Sequence, residues 1–244
     1  MVFCKVTTEY RHWLHTELES LPLIQYPFDT NILPINGIYF SYQKDEFWGH
    51  GGTQPRIVRI GTHKDGNFRS RLKEHFLSNE SMMNFDKMMI KPSDRSIFRK
   101  HIGRALLNKE RDDYLKIWEI DFTTRQKRKK YSSLRNIQKE KNIESQITKI
   151  LRQKFSFKFI ALNKQAERMG SKGLESYLIG TVSHCELCKP SNNWLGYFSP
   201  KKQIRTSGLW LVQYIESEGI NDRFKNAISN AIRKTKEQIM KIYA

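Results

Sequence analysis

The sequence predicts an α/β fold: a small, mainly antiparallel β-sheet flanked by α-helices, with helical additions at its periphery. Three observations predict it. Short runs with strand character (GIYFSY at 37–42, RIVRIG at 56–61, FSFKFIAL at 155–162) alternate with longer segments whose apolar residues recur at helical spacing. The 14 Phe, 10 Tyr and 5 Trp supply bulk for a buried core and argue against global disorder. With only 13 Gly and 7 Pro, collagen-like and low-complexity classes are excluded.

Taken in order, residues 8–21 (TEYRHWLHTELESL) read as an amphipathic helix, with Trp13, Leu14, Leu18 and Leu21 on one face. Pro22, Pro27 and Pro34 punctuate the approach to the strand at 37–42. Turn formers at 44–55 join that strand to 56–61, which gives a hairpin with a long loop. A helix over 67–76 is marked at its start by Asp65-Gly66-Asn67, and another over 94–109 has Ser93 or Asp94 as its cap. YLKIWEIDF (114–122) reads as a strand. The basic stretch 124–141 reads as loop and exposed helix start, 143–154 as a helix and 163–184 as one long helical segment. After a Pro/Ser/Asn loop at 190–193, GLWLVQYI (208–215) reads as a late strand or strand-like segment, and 222–243 as a strongly amphipathic helix. No internal repeat or composition break marks a second domain.

Charge narrows the partner. Lys and Arg number 43 against 25 Asp and Glu, a net charge of +18. An excess of that size points to a polyanion, with nucleic acid first, because phosphates attract Lys and Arg through counterion release. No run approaches the ~18 apolar residues of a membrane span. The N-terminus lacks the apolar core and cleavage site of a signal peptide. Cys4, Cys185 and Cys188 cannot form a disulfide framework and suit a reducing compartment. A cytoplasmic protein without membrane association is expected.

The informative constellation is Gly37-Ile38-Tyr39 on the first strand, Arg59-Ile60-Gly61 on the second, and a helix with Arg71 and His75 one turn apart. Each piece alone is unspecific, but their order is not. Together with a later Glu175 (GLESYLIG), the pattern resembles the GIY-YIG nuclease family. RIGTH (59–63), SIFRKHIGRAL (96–106), PSNNWLG (190–196) and SGLW (207–210) resemble one restriction-endonuclease-like branch of it. The likeness spans roughly 36–212. It departs from the family at position 59, where Arg replaces the second Tyr, and in the longer spacing between the two motifs. The implied organisation is one nuclease domain over 1–244: an N-terminal helical extension at 1–35, a catalytic core at 36–212 and a C-terminal helix at 213–244.

The resemblance implies a Mg²⁺-dependent endonuclease that hydrolyses double-stranded DNA, of the restriction type, with one divalent ion per site and a homodimer suited to double-strand cutting. A repair or mobile-element nuclease, or a catalytically inert basic nucleic-acid-binding module with the same fold, are the alternatives. The chemistry asks for the same residue types. Tyr39 would be the base, its phenol needing cations such as Arg59 to lower a pKa near 10. Arg71 offers a planar fork to the scissile phosphate. His75 would bond the phosphate or the leaving oxygen, and Glu175 would hold the Mg²⁺. Asn193 is expected to complete the site as the family's late polar residue, with Asn192 an equal candidate.

Other features carry less. Arg125, Lys127, Arg128, Lys129 and Lys130 read as a phosphate-contacting loop. His184-Cys185-x-x-Cys188 lacks the partners of a four-ligand zinc site, so Cys185 and Cys188 read as thiols. His63 and His101 stay open between structural and substrate-facing roles.

Overall fold

The computed structural model describes residues 2–49, 54–183 and 185–243. Four strands form one sheet in the order β1-β4-β2-β3, every pair antiparallel: β1 (Ile24–Gln25), β2 (Gly37–Phe47), β3 (Pro55–Gly61) and β4 (Phe155–Ala161). The helices, in chain order, are α1 (Val2–Glu19), α2 (Phe68–Phe76), α3 (Pro92–Arg95), α4 (Ile97–Lys109), α5 (Leu115–Glu119), α6 (Arg125–Tyr131), α7 (Ile137–Lys154), α8 (Gln165–Arg168), α9 (Leu174–Ser183), α10 (Lys202–Ser207) and α11 (Asp222–Tyr243). This is the α/β architecture expected from the sequence.

Both faces of the sheet are covered. On one, Tyr39, Val58, Phe157 and Phe159 pack with Phe68 and Leu72 of α2, Phe98 and Ile102 of α4, and Ile147 and Leu151 of α7. On the other, Ile38, Phe40, Ile57 and Ile160 pack with Leu14 and Leu18 of α1, Leu178 of α9, and Ile228 and Ile232 of α11. Burial on both sides explains why GIYFSY reads as a nearly unbroken apolar run, while in FSFKFIA the phenylalanines alternate with Ser156 and Lys158.

Register places the chemistry. Tyr39 lies opposite Gly61 on β3 and Phe159 on β4. Ser41 pairs with Arg59 but Tyr42 with Ile57, so Val58 is an extra residue on β3. Such a bulge lets the consecutive residues Val58 and Arg59 share the Tyr39 face, while Ile57 and Ile60 face the other core. Gly61 has no substitute here, because a Cβ at that position would stand 2.3 Å from the Tyr39 hydroxyl oxygen.

Several sequence expectations change. The expected strand at 114–122 is helical at its centre, α5. Its apolar residues satisfy both periods, and Trp118 decides: it is fully buried against Gly103 of α4 and donates its indole N–H to the Lys100 carbonyl at 3.2 Å. The long helix over 163–184 is broken into α8 and α9, with Gly170 at φ +90° in the gap. Residues 208–215 form no strand: Gly208 and Tyr214 hold positive φ, and the segment meets the sheet backbone through one bond, from the Trp210 N–H to the Val58 carbonyl, among the described residues. The basic run at 125–130 lies in α6, capped by Thr124, rather than in a loop. Helix α4 is capped by Ser96, three residues later than Ser93, while Asp94 serves the short α3. His184 and the side chain of Cys4 lie outside the described residues.

Candidate active site

The C-terminal end of β3 gathers the site. The Tyr39 ring covers Gly61, and its hydroxyl oxygen is 2.8 Å from Nε2 of His75 on α2. Arg59 Nε donates to the same oxygen at 3.2 Å. Its Nη1 donates to the Trp210 carbonyl, and its guanidinium lies 4.8 Å from the Phe98 ring centre. His75 Nδ1 is 2.7 Å from the Ser96 hydroxyl. Tyr39, Arg59, His75 and Ser96 are all buried, so these bonds form out of water, where they are strongest.

The next two residues extend the cluster. The Thr62 N–H donates to Glu175 Oε1 at 3.1 Å, at the start of α9. Thr62 Oγ1 donates to the Gly37 carbonyl, which ties this corner to the start of β2. His63 Nε2 lies 3.0 Å from Arg71 Nη2, and Arg71 Nη1 donates to Glu74 and to the Arg95 carbonyl. Arg168 of α8 donates to Thr62 Oγ1 and to the His63 carbonyl, both at 2.7 Å, and pairs with Asp65.

Electrostatics follow from that crowding of cations. Burial, then Arg59, Arg71 and Arg99, hold the His75 pKa well below the ordinary histidine value, so its imidazole is neutral at pH 7. Burial and Arg71 lower His63 to about 4. Burial pushes the Glu175 carboxyl above its usual range, while the Thr62 N–H, Arg59 and Arg168 draw it back. A half-buried carboxylate that is costly to ionise is stabilised by any cation that reaches it.

Of the sequence-predicted residues, Tyr39, Arg59 and His75 share one hydrogen-bonded network, and Arg71 and Glu175 belong to a second one beside it that runs through His63, Arg168 and Thr62. The expected His75 contact with phosphate meets an obstacle, since both ring nitrogens are engaged inside the protein. Asn193 is not drawn in. It is exposed on a turn whose neighbours, Ser191 and Trp194, bond to Glu46 and Gln43, farther along β2. His101 is buried beside Arg104 and lowered to about 2, first by burial. Cys185 and Cys188 are half-buried, and Cys188 Sγ accepts the Gly49 N–H at 3.5 Å. Sequence reasoning missed Ser96 and Arg168. A Ser opening an apolar helix is an N-cap signal by which Ser96 could have been found; Arg168 carried no signal.

A family profile for the GIY-YIG domain matches residues 19–238. The chain belongs to the GIY-YIG family. It is therefore a nuclease of the GIY-YIG type, a hydrolase acting on DNA, and the group generally uses divalent metal ions. No curated protein and no solved structure matches the chain. Among the described residues no helix is long and apolar enough to cross a membrane. The GIY-YIG site of this chain offers a divalent ion one carboxylate, that of Glu175. Glu175 uses Oε1 for the Thr62 N–H and leaves its other oxygen free of protein donors among the described residues. No group of three or more His, Cys, Asp or Glu that could hold a metal occurs among them. One carboxylate, with water and substrate phosphate completing the shell, is a donor set that suits Mg²⁺.

Proposed function

We propose that this chain is a restriction-type endonuclease that hydrolyses double-stranded DNA with one Mg²⁺ per site, as a homodimer in the cytoplasm. The observation that carries the reading is the buried contact of Tyr39 with both Arg59 and His75, beside a carboxylate held at the end of the same strand. In this reading Tyr39 takes the proton of the attacking water. Arg59 stands where its cation and its hydrogen bond meet the negative charge that develops on the Tyr39 oxygen. Arg71, half-buried at the mouth of the cluster, binds the scissile phosphate once DNA displaces its contact with Glu74. Glu175 holds the ion, and bound Mg²⁺ supplies positive charge to the leaving oxygen. Arg125, Lys129 and Lys130 on α6 meet no carboxylate among the described residues, and they supply phosphate contacts away from the site.

The test is incubation of the purified protein with mixed double-stranded DNA and Mg²⁺, with fragment ends mapped afterwards. Discrete ends, abolished by chelator and by Glu175→Ala with DNA binding retained, are the expected result. Full cleavage in excess chelator overturns the single-ion reading. Loss of binding and folding together in Glu175→Ala makes Glu175 a structural residue.

A further inference from the structure

We propose that Ser96 is a positioning residue: its hydroxyl donates to His75 Nδ1 and so leaves the ring proton on Nε2, where it is donated to the Tyr39 oxygen. The inference rests on the reading of Tyr39 as the proton-accepting group. A neutral imidazole has one N–H and one bare nitrogen, so the partner of one nitrogen dictates what the other can do.

Two features of Ser96 favour this direction. Its oxygen already accepts the Arg99 N–H at 3.3 Å as the N-cap of α4. One of its lone pairs is thereby used, and its single O–H remains to be given away. It also sits at the positive end of α4, a helix of 13 residues, where a bare nitrogen facing the helix is favoured over a second N–H. His75 Nδ1, 2.7 Å away, is the acceptor within reach.

The consequence falls on Tyr39. Arg59 can only donate, so with Nε2–H in place the phenol oxygen receives two donors, from Arg59 at 3.2 Å and His75 at 2.8 Å. Both bonds strengthen when the phenol loses its proton, and neither protein group needs to change protonation state. The opposite tautomer would have Tyr39 donate to Nε2, and the phenol could ionise only by abandoning that bond or by making His75 cationic. The charged and titratable groups facing the ring oppose a cation there: Arg59 from β3, Arg71 from α2, His63 after β3, and Arg99 from α4, itself paired with Glu144 of α7.

Ser96→Asp separates capping from proton direction, because a carboxylate still accepts the Arg99 N–H but can only accept from His75. Ser96→Thr keeps an Oγ–H. In protein labelled with ¹⁵N-histidine and free of DNA, the His75 ring signal, assigned by its loss in His75→Gln, is expected to report Nε2–H in the wild type and in Ser96→Thr. It is expected to report Nδ1–H in Ser96→Asp. In ¹³Cζ-tyrosine protein the ionisation of Tyr39 is expected to move to higher pH in Ser96→Asp. Single-turnover cleavage by that variant should fall about 10- to 100-fold, with its rise displaced to higher pH, and Ser96→Thr should recover most of the rate. An Nδ1–H signal in the wild type overturns the proposal. So does an unmoved Tyr39 titration when the tautomer has inverted. Absence of cleavage by the wild type defeats the nuclease reading instead, since both spectra are read without DNA.

Discussion

Arg56 and Arg59 stand three residues apart on β3, and both are buried, yet the protein treats them in opposite ways. Arg56 is neutralised. Glu46 on β2 faces it at 2.8 Å, with both side chains 2 % exposed, and Glu46 also accepts from the Ser191 N–H and hydroxyl. Arg56 Nη1 donates to the Gly208 carbonyl, and its guanidinium stacks over Trp194 at 5.4 Å. Arg59 has a phenol oxygen and a peptide carbonyl for partners and, among the described residues, no ion pair with a carboxylate. One end of the hairpin therefore has its buried charge cancelled and is structural. The other keeps a positive field in place, as a site for an anionic substrate and a phenolate requires.

The largest expected effect tests the uncancelled end. Tyr39→Phe removes only the oxygen that Arg59 and His75 address, so packing survives while general-base catalysis does not. Single-turnover cleavage should fall about 10²- to 10⁴-fold, or roughly 3–5 kcal/mol of barrier. A variant cutting near the wild-type rate ends the base assignment.

Next come two substitutions that should behave as mirror images. Glu46→Gln leaves Arg56 charged and uncompensated, and breaking a buried pair this way costs about 3–5 kcal/mol of stability. Denaturant titration should show it, with cleavage per folded molecule unchanged. Arg59→Met removes a buried cation that has no carboxylate, so stability should stay within about 1 kcal/mol. Its cleavage should slow and its pH rise should move upward. If Arg59→Met instead weakens DNA binding and leaves the pH profile still, Arg59 is a phosphate ligand only.

Acid should expose the same contrast. His75 and His101 are buried and held below their ordinary values, so the folded state keeps them neutral where the unfolded chain binds protons. The sign is loss of stability as pH falls below about 6.5, by about 1.4 kcal/mol per pH unit for each such histidine. Urea midpoints at pH 7 and pH 5 measure it, and His101→Gln should flatten the slope. The smallest effect is on affinity. Replacing Arg125, Lys129 and Lys130 by Ser should weaken binding for all sequences alike and reduce the salt slope by about one per lost phosphate contact. A change confined to one sequence would mean that α6 reads bases.

The strands that hold Tyr39 and Arg59 were legible because GIYFSY is almost wholly apolar and RIVRIG alternates, both beside turn formers, and the spacing of Arg71 and His75 marked their helix. Trp118 was not legible as a helical residue, since its neighbours fit either period and only packing on Gly103 settles it. The Ser96 hydroxyl has no pattern of its own beyond capping; its second role exists only because α2 and α4 pack side by side. Trp210 carries a different lesson. Its segment has strand-like composition, but what the fold uses is one N–H on Val58 and one carbonyl on Arg59. Asn193 shows the limit of spacing: its neighbours bond to Gln43 and Glu46, not to residues around Gly61.

The Trp210 carbonyl that anchors Arg59 also sets the order in which activity can arise during synthesis. The N-terminal 100 residues contain Tyr39, Arg59, Arg71, His75 and Ser96. The sheet beside Tyr39 is completed only when β4 joins it, and Arg59 gains its carbonyl anchor only with the peptide group of Trp210. A nascent or prematurely terminated chain ending before that residue lacks the carbonyl that holds Arg59 against Tyr39.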